Sequence, residues 1–231
     1  MPELSFWDHL DELRRVIFKS LGAWLVFSVA AFLFKEQLFA FLFAPLGEGQ
    51  TLVNIEVTAQ FFTHVQVSLC IGFVAALPLI VWWLYGFVAP ALYSHEKRYS
   101  ALFVFCSMLL FAAGVALNYF LIFPLSFHFL GTYQVSNVVV NRISLGSYMS
   151  LLLVLSVMMG LLFEVPVVTW LLSKLGILRR SHLKRYQRHV FVGILILAAI
   201  ITPTGDPFTL MLVTLPVYGL YELSILIIRE N

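Results

Sequence analysis

Hydrophobic positions in this chain come in long, almost unbroken runs, separated by short clusters of polar and helix-breaking residues. The runs fall at about 16–34, 61–90, 99–123, 148–172, 190–201 and 208–228. They are rich in Leu, Phe, Ala and Val and lack the strict alternation of a half-buried strand. Each therefore predicts a helix; a transmembrane barrel would show alternating segments of about ten residues instead. The first four runs are long enough for a hydrocarbon core, which takes roughly 20 residues to cross. The last two read as short. The apolar residues 190–201 extend about 18 Å at 1.5 Å per residue, and the sixth run meets Glu222 straight after Tyr221.

Breakers punctuate the pattern. Pro78 should kink the second run, and Pro124 should end the third, with a possible helical extension through Leu130. TPTGDP at 202–207 is a tight turn. Residues 35–60 and 125–147 read as two further loops on that side. The first opens with LFAFLFAPL, apolar enough to lie along the membrane interface. No internal repeat or low-complexity stretch interrupts the chain. The fold expected is an all-α polytopic membrane protein: a single six-span domain over 1–231, with short fifth and sixth spans.

Composition agrees. The chain is 61% hydrophobic and 11% charged, against about 25% charged in ordinary soluble domains, and its mean hydropathy is +0.95. This excludes a disordered chain, a collagen, a basic nucleic-acid-binding domain and a disulfide scaffold. Cys70 and Cys106 lie inside apolar runs and form no CxxC pair, so neither a redox nor a metal role is expected of them.

The distribution of charge says more than the net value of +2. Six spans place both termini on one side. On that side fall Arg14, Arg15, Lys19, Lys97, Arg98, Lys174, Arg179, Arg180, Lys184, Arg185, Arg188 and Arg229; only Lys35 and Arg142 fall on the other. Lys and Arg collect in cytoplasmic loops, so both termini are expected in the cytoplasm. The opening segment, MPELSFWDHLDELRR, is acidic before it is basic. That is the reverse of a secretory signal, so it is expected to be retained.

Catalytic signatures are not found. His95-Glu96-Lys97-Arg98-Tyr99 begins like a HExxH zinc motif but ends in Tyr. No GxGxxG, Walker A loop or GxSxG occurs, and no nucleophile, base and orienting residue are grouped. The expectation is a binding and transport protein, not an enzyme, with no cofactor.

What remains is a set of acids. Asp8, Asp11 and Glu12 suit a helix start: Ser5 and Asp8 have capping-box spacing, and Asp11 and Arg15 are four apart. Phe6, Leu10, Leu13 and Ile17 form an apolar stripe beside them. Glu96, just after Ser94, suits the first turn of the third span. These structural readings stand beside a functional one, in which the acids face a cationic ligand. Glu164 and Glu222 lie within spans, and Asp206 lies in the outer turn. A carboxylate deep in a span costs at least a few kcal/mol unless it is neutralised, watered or given a polar partner.

At these residues the chain resembles the TatC family, the signal-receptor component of the twin-arginine protein translocase. The resemblance rests on FWDHLDELRR at 6–15, FVAPALYSHEKR at 87–98, FEVP at 163–166, TPTGDP at 202–207 and PVYGLYELS at 216–224, in order along nearly the whole chain. It implies a receptor in a bacterial or archaeal cytoplasmic membrane. Such a receptor binds Arg-Arg signal peptides of folded precursors and nucleates assembly with single-span TatA-like and TatB-like partners, driven by the proton-motive force. It also implies roles for Glu12, Glu96 and Phe87 in signal binding, for Glu164 as the polar residue inside the membrane, and for Asp206 as the acid of the outer turn. One position departs from the family: members often carry Gln four residues after that acid, where this chain has Leu210. Two other readings compete, a proton- or ion-coupled small-solute transporter using Glu164 and a scaffold in which the acids only balance charge.

Overall fold

The computed structural model describes residues 6–46, 51–88, 100–136 and 141–228. Among them the chain is helical, and its single β-type contact is a parallel bridge between Val53 and Ser144. The helices are α1 (Phe6–Leu33), α2 (Lys35–Phe43), α3 (Ala59–Val88), α4 (Ser100–Leu117), α5 (Phe123–Thr132), α6 (Leu145–Phe163), α7 (Val165–Lys174), α8 (Arg180–Ile201) and α9 (Pro207–Ile227). Five segments are long and apolar enough to cross a membrane: Leu10–Leu33, Ala59–Phe87, Leu102–Thr132, Leu145–Lys174 and Pro207–Ile227. Much of the surface is apolar, with Leu33, Phe120 and Ile200 all largely exposed, as befits side chains solvated by lipid.

Several expectations shift. The sixth span is not short: α9 is a continuous helix of 21 residues. Glu222 does not end it, because Gln187 of α8 donates Nε2–H to Glu222 Oε1 at 2.6 Å and supplies a polar partner. The fifth apolar stretch, 190–201, is the C-terminal half of a 22-residue helix that begins at Arg180. The helix as a whole is long, but the cations of its first half keep it out of the set of five. Pro124 does not stop the third span. A π-turn at Asn118–Ile122 joins α4 to α5, with Phe123 N–H reaching back to the Asn118 carbonyl. The widened turn accommodates a proline ring that would clash in a regular α-helix. The segment 35–60 is also only partly loop, since its start folds as α2. α3 runs through Pro78 as one helix.

The fourth span breaks at Glu164, which closes α6 and opens α7, with Pro166 in the first turn of α7. Proline fits there because a helix's first N–H groups have no intrahelical partner.

The core is the packing of α4 and α6 with α3, α5 and α9. At the end where α6 begins, Phe123, Phe127 and Tyr148 pack ring against ring with centroids 5.1–5.6 Å apart. Two hydroxyls hold α2 on this cluster: Tyr148 donates to the Leu42 carbonyl at 2.8 Å and Tyr119 to the Phe41 carbonyl at 2.6 Å. Val53 N–H donates to the Ile143 carbonyl and Leu145 N–H to the Val53 carbonyl, tying together the segments that precede α3 and α6.

α1 lies antiparallel along α3. Trp24 Nε1–H donates to the Leu69 carbonyl at 2.8 Å, and His64 Nε2 lies 3.1 Å from the Phe32 carbonyl oxygen. Between these contacts a Cβ on Gly72 would collide with the Ser28 backbone. Gly72 is the small residue that lets the two backbones approach, as helix pairs in membranes require.

Candidate functional site

The α1–α3 register carries Glu12 to the end of the bundle where α3 finishes. Trp24 pairs with Leu69, and each step back along α1 is a step forward along α3, so Glu12 falls about level with Val81, toward the same end of the pair as Phe87. Both side chains are half-buried. Beside Glu12, Asp11, Arg14, Arg15, Phe18 and Lys19 line an open recess of about 580 Å³, and Arg14 Cζ stands 5.7 Å from the centroid of the Phe18 ring. The aromatic chain Tyr85–Phe103–Trp170, with centroid spacings of 4.7 and 6.0 Å, joins α3, α4 and α7 at this same end. Glu96 lies outside the described residues, as does the Ser5 side of the expected capping box; in sequence Glu96 falls between α3 and α4.

Asp206 sits at the opposite end, as the N-cap of α9. Its Oδ1 accepts from Thr209 N–H at 2.7 Å and its Oδ2 from the Thr204 hydroxyl at 2.6 Å. Gly205, with φ +59°, makes the turn that aims the carboxylate at the helix start. Burial pushes the Asp206 carboxyl up, but the Thr204 and Thr209 hydrogen bonds outweigh it and hold the group below the ordinary aspartate range. A carboxyl depressed in the folded state contributes stability that is present above its unfolded value and lost as pH falls through the lowered folded value. Asp206→Ala should therefore cost about 1 kcal/mol at neutral pH, the usual value of an N-cap. That cost should shrink below about pH 4, where unfolded aspartate takes up its proton. Thermal unfolding of the two proteins in detergent across this range checks both the size and the sign.

Glu164 lies at the α6–α7 break, ten residues before Lys174. It turns toward α4: the Ser107 hydroxyl donates to Glu164 Oε2 at 2.6 Å. Oε1 is buried and has no hydrogen-bond partner among the described residues. One carboxylate oxygen is thus held and the other is left able to accept. Glu12 and Phe87 share one end of the bundle, Glu164 stands within it, and Asp206 occupies the far end.

The sequence reading missed three polar contacts. Ser107 is a small hydroxyl in an apolar run, easily read as a neutral helix residue. Asn118 is fully buried and donates Nδ2–H to Ser156 Oγ at 2.8 Å; an Asn in the middle of a span was its only signal. Gln187 sits among cations, and only the pairing of α8 with α9 shows its link to Glu222.

These features define a multi-pass helical membrane protein that carries a few polar side chains at its bundle ends and at one buried break. A family model described as Sec-independent protein translocase protein (TatC) matches residues 8–216. The chain is 34% identical over 99% of its length to a Sec-independent protein translocase protein TatC of Deinococcus radiodurans, covering 88% of that protein. It is 32% identical over 96% of its length to the TatC of Escherichia coli, covering 86% of it. Among solved structures it is similar to a crystal structure of the twin arginine translocase receptor TatC, with TM-score 0.85 and 34% identity, over 94% of this chain and 96% of the other. The chain belongs to the TatC family and is a component of a Sec-independent protein translocase.

Proposed function

We propose that this protein is the receptor for twin-arginine signal peptides in its translocase, a single six-span domain with both termini in the cytoplasm of a bacterium or archaeon. The observation that carries this reading is that Glu12, near the start of α1, and Phe87, near the end of the antiparallel α3, lie toward the same end of the bundle, in a chain so similar to a solved twin arginine translocase receptor. In sequence Glu96 falls between α3 and α4. Two neighbouring guanidinium groups present two planar forks, which carboxylates match in bidentate fashion. The surrounding face is basic, so a local pair of acids is what would admit a cationic signal. Phe87 supplies an aromatic surface beside it. The protein works by binding, without catalysis or a cofactor.

The span that brings the count from five to six in this reading is α8, fifth in chain order, entering through its basic half and crossing with residues 190–201. The short apolar stretch would thin the bilayer beside it and favour a short single-span partner, TatA-like or TatB-like, with Glu164 offering a polar contact during assembly. The family assignment displaces the small-solute transporter reading of Glu164.

Crosslinkers placed at Glu12 and Glu96 should capture an Arg-Arg signal peptide and spare a Lys-Lys control. Orientation is read separately. A cysteine at the exposed Val57, with Cys70 and Cys106 replaced by Ser, should react with an impermeant maleimide from outside intact cells. Reaction only in inverted vesicles would reverse the topology.

A further inference from the structure

α8 is divided lengthwise. Leu183, Gln187, Val190 and Ile194 recur every three or four residues and face α9: Leu183 is buried with Tyr221 and Ile225, and Gln187 donates to Glu222. The opposite face carries Lys184, Arg185 and Arg188, then Val192, Ile196 and Ile200, all exposed. This outward strip changes from basic to apolar within about one turn.

The basic part is dense. From Lys174 to Arg188 there are six cations, Lys174, Arg179, Arg180, Lys184, Arg185 and Arg188, and no acid. Lys184 and Arg185 stand four and three residues before Arg188, so like charges stack along one face, which is unfavourable in isolation. α8 also begins without a side-chain cap and without an acid in its first turn. The partial positive charge of the helix start therefore adds to the guanidinium charges.

Two aromatic contacts mark the depth of this strip. Lys174 Nζ lies 5.8 Å from the Trp170 ring centroid, and Arg185 Cζ lies 6.0 Å from that of Tyr186. Trp and Tyr collect at the headgroup level of a bilayer. Beyond them only the 190–201 stretch is apolar, about 18 Å of helix against roughly 30 Å of hydrocarbon. Arg185 and Arg188 would be drawn toward the hydrocarbon unless an anionic group reaches down to them.

We propose that this strip of α8 binds an anionic phospholipid, its phosphate headgroup on Arg185, Arg188 and Lys184 and an acyl chain along Val192, Ile196 and Ile200. The amphipathic order of the strip, cations followed by an apolar stripe on the face turned away from α9, selects a lipid over a soluble phosphate or an acidic peptide. Assignment of the lipid to the cytoplasmic leaflet rests on the proposed topology. Binding itself can be read in detergent, where orientation plays no part, so failure of either reading shows separately.

The test is native mass spectrometry of the full chain in detergent, with phosphatidylglycerol, phosphatidylcholine or glycerol 3-phosphate added at equal concentration. Wild type should retain phosphatidylglycerol at least tenfold over phosphatidylcholine and should not retain glycerol 3-phosphate. Arg185→Gln/Arg188→Gln should lower that retention tenfold or more, on a scale of about fivefold per cation. Lys35→Gln/Arg142→Gln, with the same loss of charge at the other end, should leave it unchanged. Arg188→Gln alone should lower it about fivefold, and supports the same conclusion if the double variant does not fold. The proposal is overturned if the double variant keeps the preference, if the control variant loses as much, or if glycerol 3-phosphate is held as well as the lipid.

Discussion

A chain carrying Glu12→Gln and Glu96→Gln is expected to fold, insert and lose twin-arginine signal binding. Hydrogen bonds to charged groups contribute about 1.5–3 kcal/mol each, so each single change should weaken binding tenfold or more. The two together should leave only the affinity of the signal's hydrophobic part. The amide keeps the size of the side chain but loses the charge that opposes the basic face around it, from Arg14, Arg15 and Lys19 on α1. A Lys-Lys signal should fail on wild type for the complementary reason, since an ammonium cannot make the bidentate contact. Because Glu12 is half-buried on a helix that packs along α3, the thermal midpoint should move little. Titration of purified protein with a labelled signal peptide measures the effect. Unchanged affinity in the double variant would refute the acidic pair as the arginine site.

The second large effect is expected at Glu164. Glu164→Leu should abolish partner capture while leaving a folded monomer, and Glu164→Gln should keep most of it. Glu164 Oε2 takes the Ser107 hydroxyl at 2.6 Å and Oε1 has no partner among the described residues. A buried acceptor left unsatisfied costs about 1–3 kcal/mol, which a donor from a docking helix would recover. Gln retains an acceptor oxygen and can also donate; Leu can do neither. Within the chain, Leu removes the Ser107 bond and leaves that buried hydroxyl without its acceptor, a loss of about 1–3 kcal/mol that lowers the thermal midpoint and leaves the bundle folded. Crosslinkers on the 190–201 stretch of α8 beside the proposed lipid strip, at the exposed Phe191 and Leu197, should catch a single-span partner in wild type and Glu164→Gln and miss it in Glu164→Leu. Full export and full crosslinking by Glu164→Leu would remove Glu164 from assembly.

Much was legible before any coordinates. Burial in lipid demands long apolar runs with all backbone groups paired internally, so the positions of α1, α3, α6 and α9 follow from hydropathy to within a few residues of their apolar cores. Capping is local, and TPTGDP already held the acid, the hydroxyl and the glycine that meet at the start of α9. The acids that mark the candidate site also stood out, because charge is scarce in such a chain.

Tertiary structure decided the rest. Glu222 was legible as an acid within the last run, but its partner Gln187, 35 positions away in sequence, was not. Pro124 reads as a stop because a regular helix cannot hold its ring; the π-turn that accommodates it begins at Asn118, whose side chain is buried and donates to Ser156 of another helix. Ser107 acquired meaning only when α4 packed on α6 and put its hydroxyl within reach of Glu164. Hydropathy reports whether a residue prefers lipid or water, a property of one side chain. Which polar groups meet inside the membrane depends on the register between helices, and packing sets that register.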